Sequence, residues 1–194
     1  MSNFEVPDPS YDFRAPYPVD YQTKAFTRDG LPITIRPIKP EDAPLLVQSF
    51  KELSKRSIFF RFLGLVKELP PKWIKSFTCI DYTRDVALVA IQETESRERI
   101  LGVCRIVRDP RDAETTKGEF AIVVEDAWQG KGIGNLLAKH SISIARKLGI
   151  KSIWGIVSSE NDKMLSMAKQ LVFSVELDAE ACVYEISMQL CSDD

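Results

Sequence analysis

Residues 118–149 read GEFAIVVEDAWQGKGIGNLLAKHSISIARKLG. The apolar, β-branched run GEFAIVV predicts a strand. Residues 131–148 predict a helix, because Ile133, Leu136, Leu137, His140, Ile144 and Leu148 share one face and Gly149 follows as a C-cap. Between them lies a loop with three glycines. Glycine lets a backbone approach a ligand closely, and the first turn of a helix offers free N–H groups with partial positive charge. The expected ligand therefore carries phosphates. Two familiar phosphate loops do not fit. The pattern GxxxxGK(S/T) fails because Lys131 precedes the second glycine and no Ser or Thr follows. The dinucleotide pattern GxGxxG fails because Asn135 stands at its last position. What remains is Gln129-x-x-Gly132-x-Gly134, and on these residues alone a glycine turn without a ligand stays open.

The rest of the chain supplies a frame. LPITIRPIK alternates and predicts a strand. Pro40-Glu41-Asp42 opens a helix whose apolar face is Leu45, Leu46, Phe50 and Leu53. SKRSIFFRFLG and PPKWIKSFTCI predict two more. DVALVAIQE and ILGVCRIVR flank the charged turn TESRER as a hairpin, and a polar connection leads to GEFAIVV. After the long helix come the strand KSIWGIV, the helix NDKMLSMAKQLV, and the strands FSVELD and CVYEISMQL. The order is β-ααα-βββ-α-β-α-ββ. Residues 1–28 stand apart: Pro7, Pro9, Pro16 and Pro18 break regular structure, and Phe4, Tyr11, Phe13, Tyr17 and Tyr21 alternate with them. An extended arm, packed through its aromatics, is expected there.

Composition excludes several classes. The 194 residues suffice for one domain plus an arm. A net charge of −2 argues against a dedicated nucleic-acid binder. No apolar run reaches the roughly 20 residues of a membrane span, and the start has no secretory pattern. Cys79, Cys104 and Cys182 lie in apolar runs and read as small core residues, while Cys191 sits in a tail. A reducing cytoplasm is expected. One histidine and no paired cysteines give no metal site.

The element order and the loop together resemble the GNAT superfamily of N-acetyltransferases. That family's pyrophosphate signature, Gln/Arg-x-x-Gly-x-Gly/Ala, stands here as Gln129-Gly130-Lys131-Gly132-Ile133-Gly134. The resemblance covers residues 31–190 and looks closer still to bacterial protein lysine acetyltransferases, through ITIRPIKPEDAPLL, SKRSIFFRFLG, IDYTRDVALVA and GEFAIVVEDAWQGKGIG. In that branch the catalytic domain is often fused to an acyl-CoA synthetase-like or cyclic-nucleotide-binding domain, and neither is expected within these residues. The implied fold is α+β in α/β/α layers, a mixed, mostly antiparallel sheet flanked by helices. The implied organisation is an arm at 1–28, the GNAT domain at 29–190 and a tail at 191–194.

The resemblance also implies roles. Acetyl-CoA is the cosubstrate, with no metal. Ile122, Val123 and Val124 would present backbone groups to its pantetheine arm, on a strand that bulges and splays from KSIWGIV to admit the thioester. Gln129, Gly130, Lys131, Gly132, Ile133, Gly134 and Asn135 would wrap the pyrophosphate. Asn161 matches the family asparagine near the pantetheine, and Met164 would flank the same arm. Glu119 matches the glutamate of related lysine acetyltransferases. Read alone, it is either a solvated strand end or a placed base. A base is needed, because a lysine amine with pKa near 10.4 is neutral in only roughly one molecule in a few thousand at neutral pH. A positioned carboxylate is typically worth about 10²–10⁴ in rate.

Other residues are read as structural. Glu125 and Asp126 form a solvated turn. His140 packs on the long helix. Trp73, Trp128 and Trp154 pack, with Trp128 able to brace the loop. Ala168 occupies the position of the family's acid tyrosine, and Val172 that of a glycine before Phe173. The reading is direct acetyl transfer in a ternary complex to a lysine of a protein acceptor, such as an acyl-CoA synthetase. The acceptor pocket is expected between the helices at 41–63 and the loops near 108–117 and 176–182. No nucleic acid or membrane partner is expected, and the protein is a monomer or weak dimer. Two alternatives stand: a small-molecule amine or amino-acid N-acetyltransferase, and a non-catalytic acyl-CoA-sensing module, which would need no base.

Overall fold

Six consecutive residues, Val86 to Ile91, are completely buried. Neighbours on a strand point to opposite faces, so a strand buried throughout needs a layer on each side. Val86, Leu88 and Ala90 belong to one core, and Ala87, Val89 and Ile91 to another. This strand runs through the middle of a three-layer α/β/α molecule. The structure is a computed structural model that describes residues 16–190, apart from 95, 96, 110, 111, 113 and 115. Phe4, Tyr11, Phe13, Cys191 and the tail at 191–194 lie outside the described residues.

The elements are β1 (Thr23–Phe26), β2 (Pro32–Pro37), α1 (Ala43–Lys51), α2 (Lys55–Phe62), α3 (Pro71–Thr78), β3 (Val86–Thr94), β4 (Arg97–Arg108), β5 (Lys117–Val124), α4 (Ile133–Lys147), β6 (Ser152–Ser158), α5 (Asp162–Gln170), β7 (Ser174–Asp178) and β8 (Val183–Gln189). They form one mixed sheet in the order β1-β2-β3-β4-β5-β6-β8-β7. Every pairing is antiparallel except that of β5 with β6. Helices α4 and α5 cover one face through Leu137, Ala138, Ile142 and Ala168. Helices α1 and α3 cover the other through Leu46, Phe50 and Phe77. Phe62 of α2 stacks on Trp73, with ring centroids 5.6 Å apart. Among the described residues no helix is long and apolar enough to cross a membrane.

Three expectations are corrected here. The stretch read as an arm contributes β1, which pairs with β2 from Thr23↔Ile35 to Phe26↔Pro32. The prolines end at Pro18, and the short proline-free run after them is free to join the sheet edge. Tyr17 reaches the domain too, donating from Oη to the Pro37 carbonyl at 2.8 Å and packing edge-on against Tyr82. The charged residues read as a turn are instead mostly strand, since β3 and β4 pair on to Thr94↔Arg97. Of the three cysteines read as core, only Cys104 is buried, and burial pushes its thiol up to about 12. Cys182 is exposed, because it sits with φ 54° in the hairpin between β7 and β8.

The start of α1 is anchored below the surface. Arg36 of β2 forks onto Asp42, with contacts of 2.7 and 2.8 Å, and the same carboxylate accepts the Lys39 N–H at 2.9 Å. Burial alone would push the Arg36 guanidinium down, but the Asp42 carboxylate outweighs it and holds the group above its usual value.

Helices α4 and α5 end in the same way. After α4, Gly149 N–H bonds Arg146 carbonyl at 2.9 Å and Ile150 N–H bonds Ala145 carbonyl at 3.1 Å. After α5, Val172 N–H bonds Lys169 carbonyl at 3.1 Å and Phe173 N–H bonds Ala168 carbonyl at 2.9 Å. Both are Schellman motifs, which want a left-handed residue at the first position past the cap. Gly149 takes it at φ 77°; Val172 is forced into it at φ 66°. With valine where the family has glycine, the turn still forms, with strain. A left-handed L-residue costs about 1–2 kcal/mol, and glycine's extra chain entropy returns about 0.5–1 kcal/mol of that. The Val172 side chain is 82% exposed, so little packing is at stake. Val172→Gly should raise stability by about 0.5–1 kcal/mol and Tm by about 1–4 °C. A lower Tm on thermal unfolding would contradict this account.

Candidate active site

β5 and β6 pair over only three positions, ending at Glu119↔Trp154. One step on, Gly155 passes so close to the Phe120 carbonyl that a Cβ would lie 2.7 Å from it. Beyond this point the two strands are no longer paired, while β5 keeps an unbroken register with β4 up to Gly102↔Val124. The expected splay is present. The expected bulge in β5 is not: the register shift lies between β3 and β4, at Ala90/Ile91. The gap opens because a parallel pairing stops, with no residue inserted into β5.

The separation opens a cleft of about 1800 Å³. Glu119, Ile122, Val123, Val124, Gln129, Gly130, Gly132, Ile133, Gly134, Asn135, Asn161 and Met164 all line it. Lys131 is the exception. Its ammonium is 2.7 Å from the Asp29 carboxylate and lies over the Trp128 ring, 4.7 Å from the centroid. These two partners engage its side chain, which is outside the cleft lining.

The loop is shaped by both ends. Gly130 and Gly132 have φ of 78° and 88°, which suits glycine. A Cβ on Gly130 would meet nothing within 4 Å, so the loop there is open. Gly134 is glycine for another reason: a Cβ would sit 3.2 Å from Met167 Sδ, where α4 passes close to α5. Gly132 is the N-cap of α4 and no side chain caps this end. The first N–H groups of a 15-residue helix are thus left for a ligand. The nearby acids are spent elsewhere. Glu125 is buried with Arg99 at 2.6 Å, and burial pushes its carboxyl up. Asp126 accepts from Ser54 N and Oγ at 2.9 and 2.8 Å and from Ser57 Oγ at 2.9 Å. The solvated turn expected at these two residues is corrected for Glu125, which is buried, whereas Asp126 stays exposed and fastens the start of α2 to the end of β5. An open glycine cradle and an uncapped helix start fit a phosphate-bearing ligand.

Gln129 works through its amide. Nε2 donates to the Val124 carbonyl at 3.1 Å and to Ser57 Oγ at 3.3 Å, and Oε1 accepts from Lys163 Nζ at 2.9 Å. It ties β5, α2 and α5 to the loop, and it occupies the Val124 carbonyl that was expected to face a ligand. Asn161 caps α5, its Oδ1 accepting the Met164 N–H at 3.2 Å.

Glu119 is half-buried on the sheet face that looks toward α2 and α3. Arg61 and Arg105 line the same cleft. Burial pushes the Arg61 guanidinium down, and the Glu119 carboxylate acts against that shift. Burial and then Arg61 push Arg105 down to about 10. Arg105 donates to the Ser76 carbonyl at 3.2 Å and lies over the Phe77 ring, while its buried Nη1 finds no hydrogen-bond partner among the described residues. Two guanidiniums beside the carboxylate would disfavour the ammonium form of an incoming amine. Ala168 is fully buried, so that position offers the cleft no acid. His140 is remote from this chemistry, with Nε2 2.7 Å from the Tyr21 carbonyl. Sequence reading missed Ser57, Lys163 and Trp154 as parts of the site. Only the β5–β6 register brings Trp154 level with Glu119, and no local pattern carries that register.

Residues 56–173 match the family model described as the acetyltransferase (GNAT) family. This chain is a GNAT acetyltransferase. Acetyltransferase PA5475 of Pseudomonas aeruginosa is 30% identical over 152 residues, which span 78% of this chain and 80% of that relative. The crystal structure of the GNAT domain of S. lividans PAT has a TM-score of 0.82 and 27% identity, covering 90% of this chain and 100% of that one. Salmonella typhimurium yncA, solved with its cofactor acetyl-CoA, shares the fold at a TM-score of 0.61 and 17% identity, covering 82% and 94%. The layered α+β architecture with a mixed, mostly antiparallel sheet is the GNAT fold, and the GNAT family uses acetyl-CoA.

Proposed function

We propose that this GNAT enzyme transfers acetyl from acetyl-CoA to a lysine side chain of a protein acceptor in one ternary complex. The observation that carries the reading is the place of Glu119. It is the last β5 residue paired with β6, so the candidate base stands at the mouth of the gap. Acetyl-CoA supplies the acetyl group as an activated thioester. Glu119 takes the proton from the amine, directly or through water. The neutral amine nitrogen then forms the C–N bond as the C–S bond breaks, the thiolate leaves with its electron pair, and the second proton of the nitrogen passes through water to that thiolate. A thiol of pKa near 8.5 is a tolerable leaving group, which suits a site with alanine at position 168. Gln129, Gly130, Gly132, Ile133, Gly134 and Asn135 hold the pyrophosphate at the α4 start, and Ile122, Val123, Asn161 and Met164 border the pantetheine arm.

Support for a protein acceptor comes from the likeness to the GNAT domain of the S. lividans protein acetyltransferase. The reading includes a cytoplasmic monomer or weak dimer that acts on a protein such as an acyl-CoA synthetase. A small amino-acid acceptor has one observation in its favour: the buried, unpartnered Nη1 of Arg105 would suit an acceptor carboxylate. The deciding experiment is acetyl-CoA turnover against a panel of proteins and small amines, with modified lysines mapped by mass spectrometry. Protein lysines should be modified. Free amines or amino acids turned over with kcat/KM of about 10⁴ M⁻¹s⁻¹ or above, with proteins untouched, would transfer the assignment to the small-molecule class.

A further inference from the structure

We infer that Arg28, in the turn between β1 and β2, contributes its guanidinium to the pyrophosphate of the CoA substrate, making the N-terminal hairpin part of the cofactor site. This rests on the reading of the glycine loop given above.

The turn is docked on that loop by three separate contacts. Arg28 N–H donates to the Lys131 carbonyl at 2.9 Å. The neighbouring Asp29 carboxylate is 2.7 Å from Lys131 Nζ. The Arg28 side chain lies across the loop itself, with Nη1 3.5 Å from the Gly130 carbonyl. A Cβ on Gly132 would come within 3.3 Å of Arg28 Cγ and 3.5 Å of its Nε. Gly132 is the N-cap of α4, so the guanidinium stands at the rim of the uncapped helix start.

Among the described residues no carboxylate pairs with Arg28, and the adjacent Asp29 is already used by Lys131. Arg28 is exposed and lines the cleft. The lysine inside the loop signature is engaged by Asp29 and Trp128, and Lys163 is held by Gln129. A bound pyrophosphate brings negative charge to the helix start. A guanidinium offers it a planar fork of donors, stronger than neutral donors. Only the long bond to the Gly130 carbonyl would be given up.

The test is calorimetry of CoA and of 3′-dephospho-CoA with the full chain and with Arg28→Met. Methionine keeps an apolar stem over Gly132 and the main-chain bond to Lys131, and removes only the charge and the donors. Affinity for both ligands should fall about 10-fold or more, with the Tm of the ligand-free protein unchanged. Unchanged affinity overturns the inference. A loss for CoA that spares 3′-dephospho-CoA moves the contact to the 3′-phosphate and overturns it as well. A loss accompanied by a lower ligand-free Tm means that Arg28 only shapes the loop. If the unaltered chain fails to bind CoA, the reading of the glycine loop itself is wrong, and Arg28 falls with it.

Discussion

Glu119→Gln is expected to keep CoA affinity and to cut acetyl transfer at neutral pH by about 10²-fold or more. The amide is isosteric with the carboxylate and cannot accept the amine's proton. The strand is held by main-chain pairing at Val107↔Glu119 and Glu119↔Trp154, which the substitution leaves alone. The deficit should depend on pH in a definite direction. As pH rises toward the reference amine pKa near 10.4, solvent supplies more neutral amine and the variant should approach the parent. Steady-state rates measured across pH, with CoA affinity from calorimetry, separate the proton-transfer role from cofactor binding. Turnover equal to the parent at pH 7 would remove Glu119 from the mechanism.

The largest stability effect is expected at Asp42, which is 1% exposed and paired with Arg36 at 7%. Asp42→Ala would leave a buried guanidinium without its forked partner. Removing one member of a buried pair typically costs about 3–5 kcal/mol, whereas replacing both with apolar groups is often nearly neutral. For a chain of this size the loss corresponds to a Tm lower by about 6–20 °C. Glu98, 3.2 Å from Arg36 and 46% exposed, remains as a partial substitute and draws the effect toward the smaller value. Adding Arg36→Met to Asp42→Ala should recover part of the loss. A single variant that melts with the parent would mean the pair adds nothing to the fold.

The elements legible in the sequence were those whose own residues carry the signal. DVALVAIQE reads as a strand, and its burial on both faces follows once helices lie before and after it. The glycine loop was legible because positive φ and an open helix start leave a compositional mark. Glu119 could be singled out through the family pattern, but its place at the parting of β5 and β6 depends on a register between distant segments. Other features depended on partners that no local pattern names. Glu125 and Asp126 look like surface acids until Arg99, Ser54 and Ser57 are seen against them. Lys131 looks like a phosphate ligand until Asp29 is found to hold it. Cys182 has apolar neighbours in sequence, yet it falls in a hairpin turn.

The short pairing of β5 with β6 has a consequence for how this sheet guards its edges. An ordinary sheet has two, but one that opens in its middle has four. The outer two are short: β1 has four residues and β7 has five, with Glu176 and Asp178 exposed on the latter. Short, charged edge strands discourage pairing with other chains. The inner two, residues 120–124 of β5 and 155–158 of β6, cannot be blunted that way, since charge or proline there would spoil the site. They face each other across a cleft bordered by α2 and α5. Backbone that would invite aggregation on an outer edge is thus kept inside the molecule, within reach of a thin, extended ligand carrying amides of its own.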